Sequence, residues 1–257
     1  MTPRDAQGTG LTRNAFLGGR LQILQPERGY RAGMDPVLLA AGVPAKPGQT
    51  VLELGCGVGV AALCLGCRVA GVSLTGLELQ PIYADLARRN AAENEIALEV
   101  VTGDLAQMPA SLRARRFDHV IANPPYFDRN AGSRAADPGR ETAMGEATPL
   151  SLWVEQAARR CRPGGFVTMI QRSERLPELL SAANLHLGSL EVLPLIPRAG
   201  RAARMVILRA RKGGRAAFRL HPGWILHAGQ AHDGDRESYT PSTACILRHG
   251  GALPFPG

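Results

Sequence analysis

Four consecutive residues, Asn123-Pro124-Pro125-Tyr126, are suited to holding a flat, amino-bearing group while a bond forms at its nitrogen. The Asn123 carboxamide oxygen and the Pro124 carbonyl are neighbouring acceptors, matched to the two hydrogens of an amine or amide. The prolines fix their own φ and restrict the residue before each, so both acceptors have little freedom to lose. Tyr126 supplies a stacking face, and Phe127 follows it directly. The preceding apolar run, Val120-Ile121-Ala122, reads as a buried strand ending on the asparagine. A rigid strand-to-loop turn without chemistry is the plain alternative, and the upstream sequence weighs against it.

Residues 51–59 read Val-Leu-Glu-Leu-Gly-Cys-Gly-Val-Gly. A short apolar strand runs into Gly55, Gly57 and Gly59, and a helix is expected from about Val60. Strand, glycine turn and helix are the parts of a nucleotide site in an open α/β sheet, because glycines let a ligand approach the backbone. The G-x-G-x-G spacing is not the G-x-G-x-x-G of dinucleotide folds. The next strand, Val72 to Leu79, carries Glu78 at its carboxyl end, placed to accept from both hydroxyls of a ribose. A third strand, Leu98 to Thr102, leads into Gly103-Asp104-Leu105, where Asp104 can accept from the exocyclic amine of an adenine. Each acid taken alone also fits a helix cap or a solvated loop charge. Glu53, inside the first strand, is a carboxylate in a core position and needs a partner. The ammonium of a bound amino acid would supply one.

With these residues the chain resembles the class I S-adenosylmethionine-dependent methyltransferases, from about Leu21 onward. Glu53 to Gly59 is similar to their first motif, while Glu78 and Gly103-Asp104-Leu105 are similar to their ribose- and adenine-contacting motifs. Asn123 to Tyr126 resembles the catalytic motif of the branch that methylates amino groups. The resemblance implies S-adenosyl-L-methionine as cofactor, held by Glu53, Gly55, Gly57, Gly59, Glu78, Leu79, Asp104, Leu105 and Asn123. It implies catalysis by Asn123, Pro124 and Tyr126, and substrate contacts from Pro125, Tyr126 and Phe127. A narrower likeness lies in Leu21 to Pro26 and Gly29 to Leu39. These stretches resemble the amino-terminal segment of bacterial tRNA adenine-N6 methyltransferases that modify the base beside the anticodon of a valine tRNA. That family packs the segment against the cofactor site. The same stretch also reads as an ordinary helix start, with Asp35 as N-cap and Pro36 at the first helical position.

The formal net charge is +8, and Lys46 and Lys212 are the only lysines among 30 basic residues. Arginine pairs bidentately with phosphate and stacks on bases, which suits an RNA partner, tRNA first. An arginine-rich proteome gives the same bias. No apolar run reaches bilayer-spanning length and no basic-then-apolar leader is present, so no membrane association is expected and the cytoplasm is the expected location. Five cysteines without a regular framework fit a reducing compartment. No metal is expected, and Cys64-x-x-Cys67 reads as packing at a helix end. Competing readings keep the reaction on ribosomal RNA or a protein glutamine, or replace it with a non-catalytic RNA-binding module. A dinucleotide oxidoreductase would leave Asn123 to Tyr126 unexplained.

These residues need an α/β scaffold: a Rossmann-like open twisted sheet, mostly parallel with an antiparallel edge strand, and helices on both faces. Residues 1–20 read as a flexible amino-terminal tail and 21–257 as a single domain. Within that domain, 128–148 is expected as a long polar loop on the substrate side. Residues 198–257 are expected as basic carboxyl-terminal strands with a short helix started by Thr240 and Pro241. A strand or hairpin is expected over 218–227. Between Arg198 and Arg219 stand eight basic residues and no acid, a charged edge or a phosphate-binding rim.

Overall fold

The computed structural model describes residues 10–128, 145–146, 148–229 and 238–255. Strands and helices alternate as the apolar periodicity requires. In chain order they are β1 (Leu11–Phe16), β2 (Leu21–Pro26), α1 (Asp35–Ala41), β3 (Thr50–Leu54), α2 (Val60–Arg68), β4 (Ser73–Glu78), α3 (Pro81–Glu93), β5 (Leu98–Thr102), α4 (Ala110–Arg113) and β6 (Phe117–Ala122). Next come β7 (Phe127–Asp128), β8 (Gly145–Glu146), α5 (Leu150–Arg160), β9 (Cys161–Arg172), α6 (Leu176–His186), β10 (Gly188–Ile196), β11 (Met205–Arg211), β12 (Arg219–Leu220), β13 (Trp224–Ile225) and α7 (Pro241–His249).

The main sheet has the order β12-β10-β11-β9-β6-β3-β4-β5. β3, β4, β5, β6 and β9 are mutually parallel. β11 runs against both of its neighbours. The reversed strand expected at the edge thus lies inside it, with β10 outside and β12 and β13 beyond β10. β12 and β13 both lie parallel to β10, at different levels along it, so 218–227 does not fold as a hairpin. Alternation along β3 divides the core between the two sheet faces: Val51 joins the cluster with α1 and α2, and Leu52 and Leu54 join the one with α5 and α6. Thr240 caps α7 through its side chain, which accepts from the Thr243 N–H, with Pro241 in the first turn.

The tail expected over residues 1–20 needs correction in its second half. Leu11–Phe16 pairs antiparallel with Leu21–Pro26, and Leu11 and Leu17 are buried. Residues 1–9 lie outside the described residues, as do 129–144 and 147 of the expected substrate-side loop and 230–237 of the carboxyl-terminal region. The hairpin is docked by two asparagines four residues apart, Asn90 on α3 and Asn94 at its carboxyl-terminal cap. Asn90 Oδ1 accepts from Leu24 N (2.8 Å), while its Nδ2 donates to Leu24 O (3.1 Å) and Val58 O (3.0 Å). Asn94 makes the same paired contact with Gln22, at 2.8 and 2.9 Å. The two carboxamides thus complete the outer edge of β2 as a neighbouring strand would. Asn90 is fully buried, so Asn90→Ala strands three backbone groups without partners. At about 1–3 kcal/mol for each unsatisfied group, we expect unfolding in urea to weaken by about 3 kcal/mol; a loss below about 1 kcal/mol would contradict this docking role.

Candidate active site

Leu54 pairs with Leu77 on one side and Ala122 on the other, and Glu78 pairs with Thr102. The residues just beyond these pairs, Gly55, Asn123, Leu79 and Gly103, emerge at one level and line a cleft of about 890 Å³. The chain runs from β3 outward to β5 and then returns to β6 on the other side of β3. The cleft lies at this reversal, where diverging connections leave room above the strand ends.

The three glycines divide the work. Gly57 has φ +54°, and a Cβ there would meet only Tyr30 Cε1, at 3.9 Å, so the turn is open toward the cleft. A Cβ on Gly55 would strike the Trp153 ring at 2.6 Å. Gly59 does not line the cleft: with φ +88° it starts α2, and a Cβ would press on Leu98 at 3.3 Å and Ala87 at 3.4 Å. It is a packing residue between α2 and α3.

Glu53 is 3 % exposed, and its Oε2 accepts from the Ala62 N–H (2.8 Å) in the first turn of α2. Gly59 has no side chain to cap that helix, and the strand carboxylate does so instead. Burial pushes the Glu53 carboxyl up to about 8; the Ala62 N–H works against the rise and the charge of Glu78 adds to it. Glu78 accepts from Gly57 N (2.8 Å) through Oε2 and from Gln80 N (2.9 Å) through Oε1, tying the glycine turn to the end of β4. Burial raises its pKa too, opposed by those N–H groups. Asp104 Oδ1 accepts from Ala106 N (2.8 Å), shaping its own turn.

At the other wall, the tetrapeptide is braced from behind. Gln171 Nε2 reaches Pro124 O at 3.5 Å, and Arg175 Nη1 donates to Pro125 O at 3.3 Å while paired with Glu178 at 2.8 Å. The Tyr126 hydroxyl sits 2.7 Å from Asp35 Oδ2 and 2.8 Å from Asn123 Oδ1. The Arg172 guanidinium lies over the Tyr126 ring, 5.6 Å from its centroid. Burial, with Asp35 beside it, raises the phenol far above its ordinary value and keeps it protonated.

Residues 34–183 match the methyltransferase small domain family, which is more than half of the chain. The chain belongs to that family. It is an S-adenosylmethionine-dependent methyltransferase. One relative, a tRNA1(Val) (adenine(37)-N6)-methyltransferase of Porphyromonas gingivalis, is 33 % identical over 180 residues, covering 66 % of this chain and 70 % of its own. A protein of the same name from Actinobacillus succinogenes is 29 % identical over 204 residues, covering 77 % and 84 %. Among solved structures, one described as a predicted O-methyltransferase from Agrobacterium tumefaciens superposes with a TM-score of 0.68 at 25 % identity, covering 86 % of this chain and 98 % of that one. A Thermus thermophilus 16S rRNA guanine-N2 methyltransferase, at 20 % identity and a TM-score of 0.55 over 79 % of this chain and 50 % of that one, shares the fold.

The cleft of this methyltransferase fits its cofactor in one specific respect. A buried carboxyl holding one backbone N–H opens into it, an environment suited to an ammonium, next to a glycine turn with no side chain in the way. Of the residues singled out from the sequence, Glu53, Gly55, Gly57, Glu78, Leu79, Asp104, Leu105 and Asn123 to Tyr126 line the cleft. Gly59 does not, and the Phe127 side chain lies outside the described residues. Tyr30 and Asp35 also line it, in the Gly29 to Leu39 segment that the narrower resemblance places against the cofactor site; Tyr83 and Arg172 line it too, and residue types gave no signal for them. Asp35 departs from the N-cap expectation: it begins α1, its side chain makes no cap bond, and its carboxylate turns to Tyr126.

The basic run from Arg198 to Arg219 splits in two. Met205 pairs with Arg172 at the cleft end of β9, and Arg211 pairs with Phe166 at the far end. Arg209, Arg211 and Lys212 therefore stand away from the cleft, bonded to Glu191, Gly164 O and His186 O respectively. Arg198 is buried against Ala228 O and Ser238. Arg201 and Arg204 are exposed at the cleft end. Among the described residues no helix is long and apolar enough to cross a membrane, and no group of three or more His, Cys, Asp or Glu is placed to hold a metal.

Proposed function

We propose that this methyltransferase modifies the N6 amine of an adenine in tRNA, in the cytoplasm. One observation carries the reading: the Asn123 carboxamide and the Pro124 carbonyl stand braced at the end of β6, on the wall of the cleft that Glu53, Gly57 and Glu78 also line. Relatives named for tRNA1(Val) adenine-N6 methylation support it. When bound, S-adenosylmethionine supplies an electrophilic methyl group. Glu53 would face its ammonium, Glu78 its ribose hydroxyls and Asp104 its adenine amine. An adenine amine is a weak nucleophile because its lone pair is delocalised into the ring. The Asn123 oxygen and the Pro124 carbonyl accept its two hydrogens, draw the nitrogen toward tetrahedral geometry and favour positive charge developing there. The Tyr126 ring stacks on the base once it leaves its RNA stack.

Transfer of tritium from labelled cofactor to tRNA, ribosomal RNA or release factor separates the candidate substrates. Label in tRNA, located by nucleoside mass spectrometry as N6-methyladenosine, is expected. Label confined to ribosomal RNA or to protein would overturn the assignment.

The Glu53–ammonium contact has its own signature. At pH 6.5 the free protein holds the Glu53 proton, because its pKa is pushed up to about 8. An ammonium favours the ionised carboxylate, so binding releases that proton. Calorimetric titration in two buffers of different ionisation enthalpy should show release of close to one proton per cofactor. Glu53→Gln should show release near zero, with weaker binding; equal release by both proteins would remove the contact.

A further inference from the structure

A phenol has one proton and cannot donate to two acceptors at once, yet the Tyr126 oxygen lies within bonding distance of both Asp35 Oδ2 (2.7 Å) and Asn123 Oδ1 (2.8 Å). Burial raises the Asp35 pKa, and the Tyr126 hydroxyl and the Arg172 charge oppose that rise; held as a carboxylate, Asp35 can only accept, so the proton of Tyr126 goes to it. The Asn123 atom at the hydroxyl must then be a donor. The oxygen and nitrogen of a carboxamide are interchangeable by a half-turn about the last side-chain bond, and hydrogen bonding decides between them. The chain of bonds therefore runs from the Asn123 NH₂ to the Tyr126 oxygen, and from the Tyr126 hydroxyl to the Asp35 carboxylate. This ordering leaves the Asn123 oxygen for the cleft. The reverse ordering would present the NH₂ instead, which repels the hydrogens of an incoming amine. Asp35 is spared from helix capping: it begins α1 without a side-chain cap bond, and its carboxylate reaches Tyr126 across 91 residues of sequence.

We propose that Asp35 is a positioning residue that acts through the Tyr126 hydroxyl to turn the Asn123 carboxamide oxygen toward the amine being methylated. This rests on the proposed function, and it predicts a choice between bases. A carboxamide showing its oxygen favours adenine, which offers an amine. One showing its NH₂ favours hypoxanthine, which offers a carbonyl at the same ring position.

The test uses the full chain saturated with S-adenosylhomocysteine and an RNA hairpin of the tRNA1(Val) anticodon arm, carrying adenine or hypoxanthine at the target position. Wild type should bind the adenine hairpin about tenfold more tightly, the worth of one well-placed hydrogen bond. In Tyr126→Phe, which keeps the ring, and in Asp35→Ala, which removes the acceptor of the Tyr126 proton, that preference should fall to within about twofold, with the S-adenosylhomocysteine dissociation constant unchanged. With S-adenosylmethionine and the adenine hairpin, kcat should fall about tenfold in each, and the double variant should be no worse than Tyr126→Phe alone, because both act on one carboxamide. Retained adenine preference in Tyr126→Phe, or effects that multiply in the double variant, would overturn the positioning role while leaving the reaction assigned. Wild type that does not distinguish the two hairpins would overturn the substrate reading and the positioning role with it. Should Asp35→Ala fold poorly, the loss of a single oxygen atom in Tyr126→Phe decides the matter alone.

Discussion

Asn123→Ala should lower methyl transfer by about a hundred- to a thousandfold at saturating substrates, comparable to removing one preorganised group that stabilises a transition-state charge. Alanine removes one of the two acceptors for the amine hydrogens and leaves the Pro124 carbonyl, which the protein holds from behind through Gln171. It also removes the neighbour of the Tyr126 hydroxyl, which keeps its bond to Asp35. Cofactor affinity should change little, since Gly57, Glu53 and Glu78 sit on other strand ends. The loss therefore belongs in kcat. Single-turnover kinetics with labelled cofactor give the rate, and calorimetry gives the affinity. Near-normal turnover would remove Asn123 from the chemistry.

Glu78→Ala should do the opposite damage. Each carboxylate oxygen already holds a backbone N–H of the cleft wall, from Gly57 and Gln80. Each has a further lone pair to offer a ribose hydroxyl. Alanine deletes the hydroxyl acceptors and releases the glycine turn together. Two charge-assisted bonds at about 1.5–3 kcal/mol apiece put the expected loss of cofactor affinity at a hundredfold or more. Transfer at saturating cofactor should fall less than about fivefold, because the removed contacts serve ground state and transition state alike. Glu78→Gln, retaining one acceptor oxygen, should fall between wild type and alanine. An unchanged dissociation constant for the alanine variant would refute the assignment.

The parts of the site that the sequence discloses are those set by local rules. Runs ending in Gly55, Glu78 and Asn123 are legible because a buried strand must be apolar and its exit must be polar or a turn, while the half-buried edge strand before Asp104 shows in its alternation and paired valines. Parallel pairing then brings those ends to one level without further information. Contacts that join distant segments are not legible in this way. Asp35 resembles a helix cap until its carboxylate is found on Tyr126. β1 reads as part of a polar tail because its partner β2 is docked by the carboxamides of Asn90 and Asn94, a support that no strand pattern announces. The basic run misleads for the opposite reason: charge alone does not tell an arginine at the cleft end, such as Arg204, from Arg209 paired with Glu191 further down the sheet.

The carboxamides that close β2 also govern how this protein meets copies of itself. A strand with an uncovered row of amide and carbonyl groups is a template for any other chain that arrives extended. Asn90 and Asn94 occupy that row with groups from the same molecule, leaving no vacancy at Leu24 and Gln22 for a stranger. Leu24 and Asn90 are fully buried, so it is at the half-buried Gln22 that losing the Asn94 carboxamide would open the row to another extended chain, and self-association at high concentration would be its first symptom.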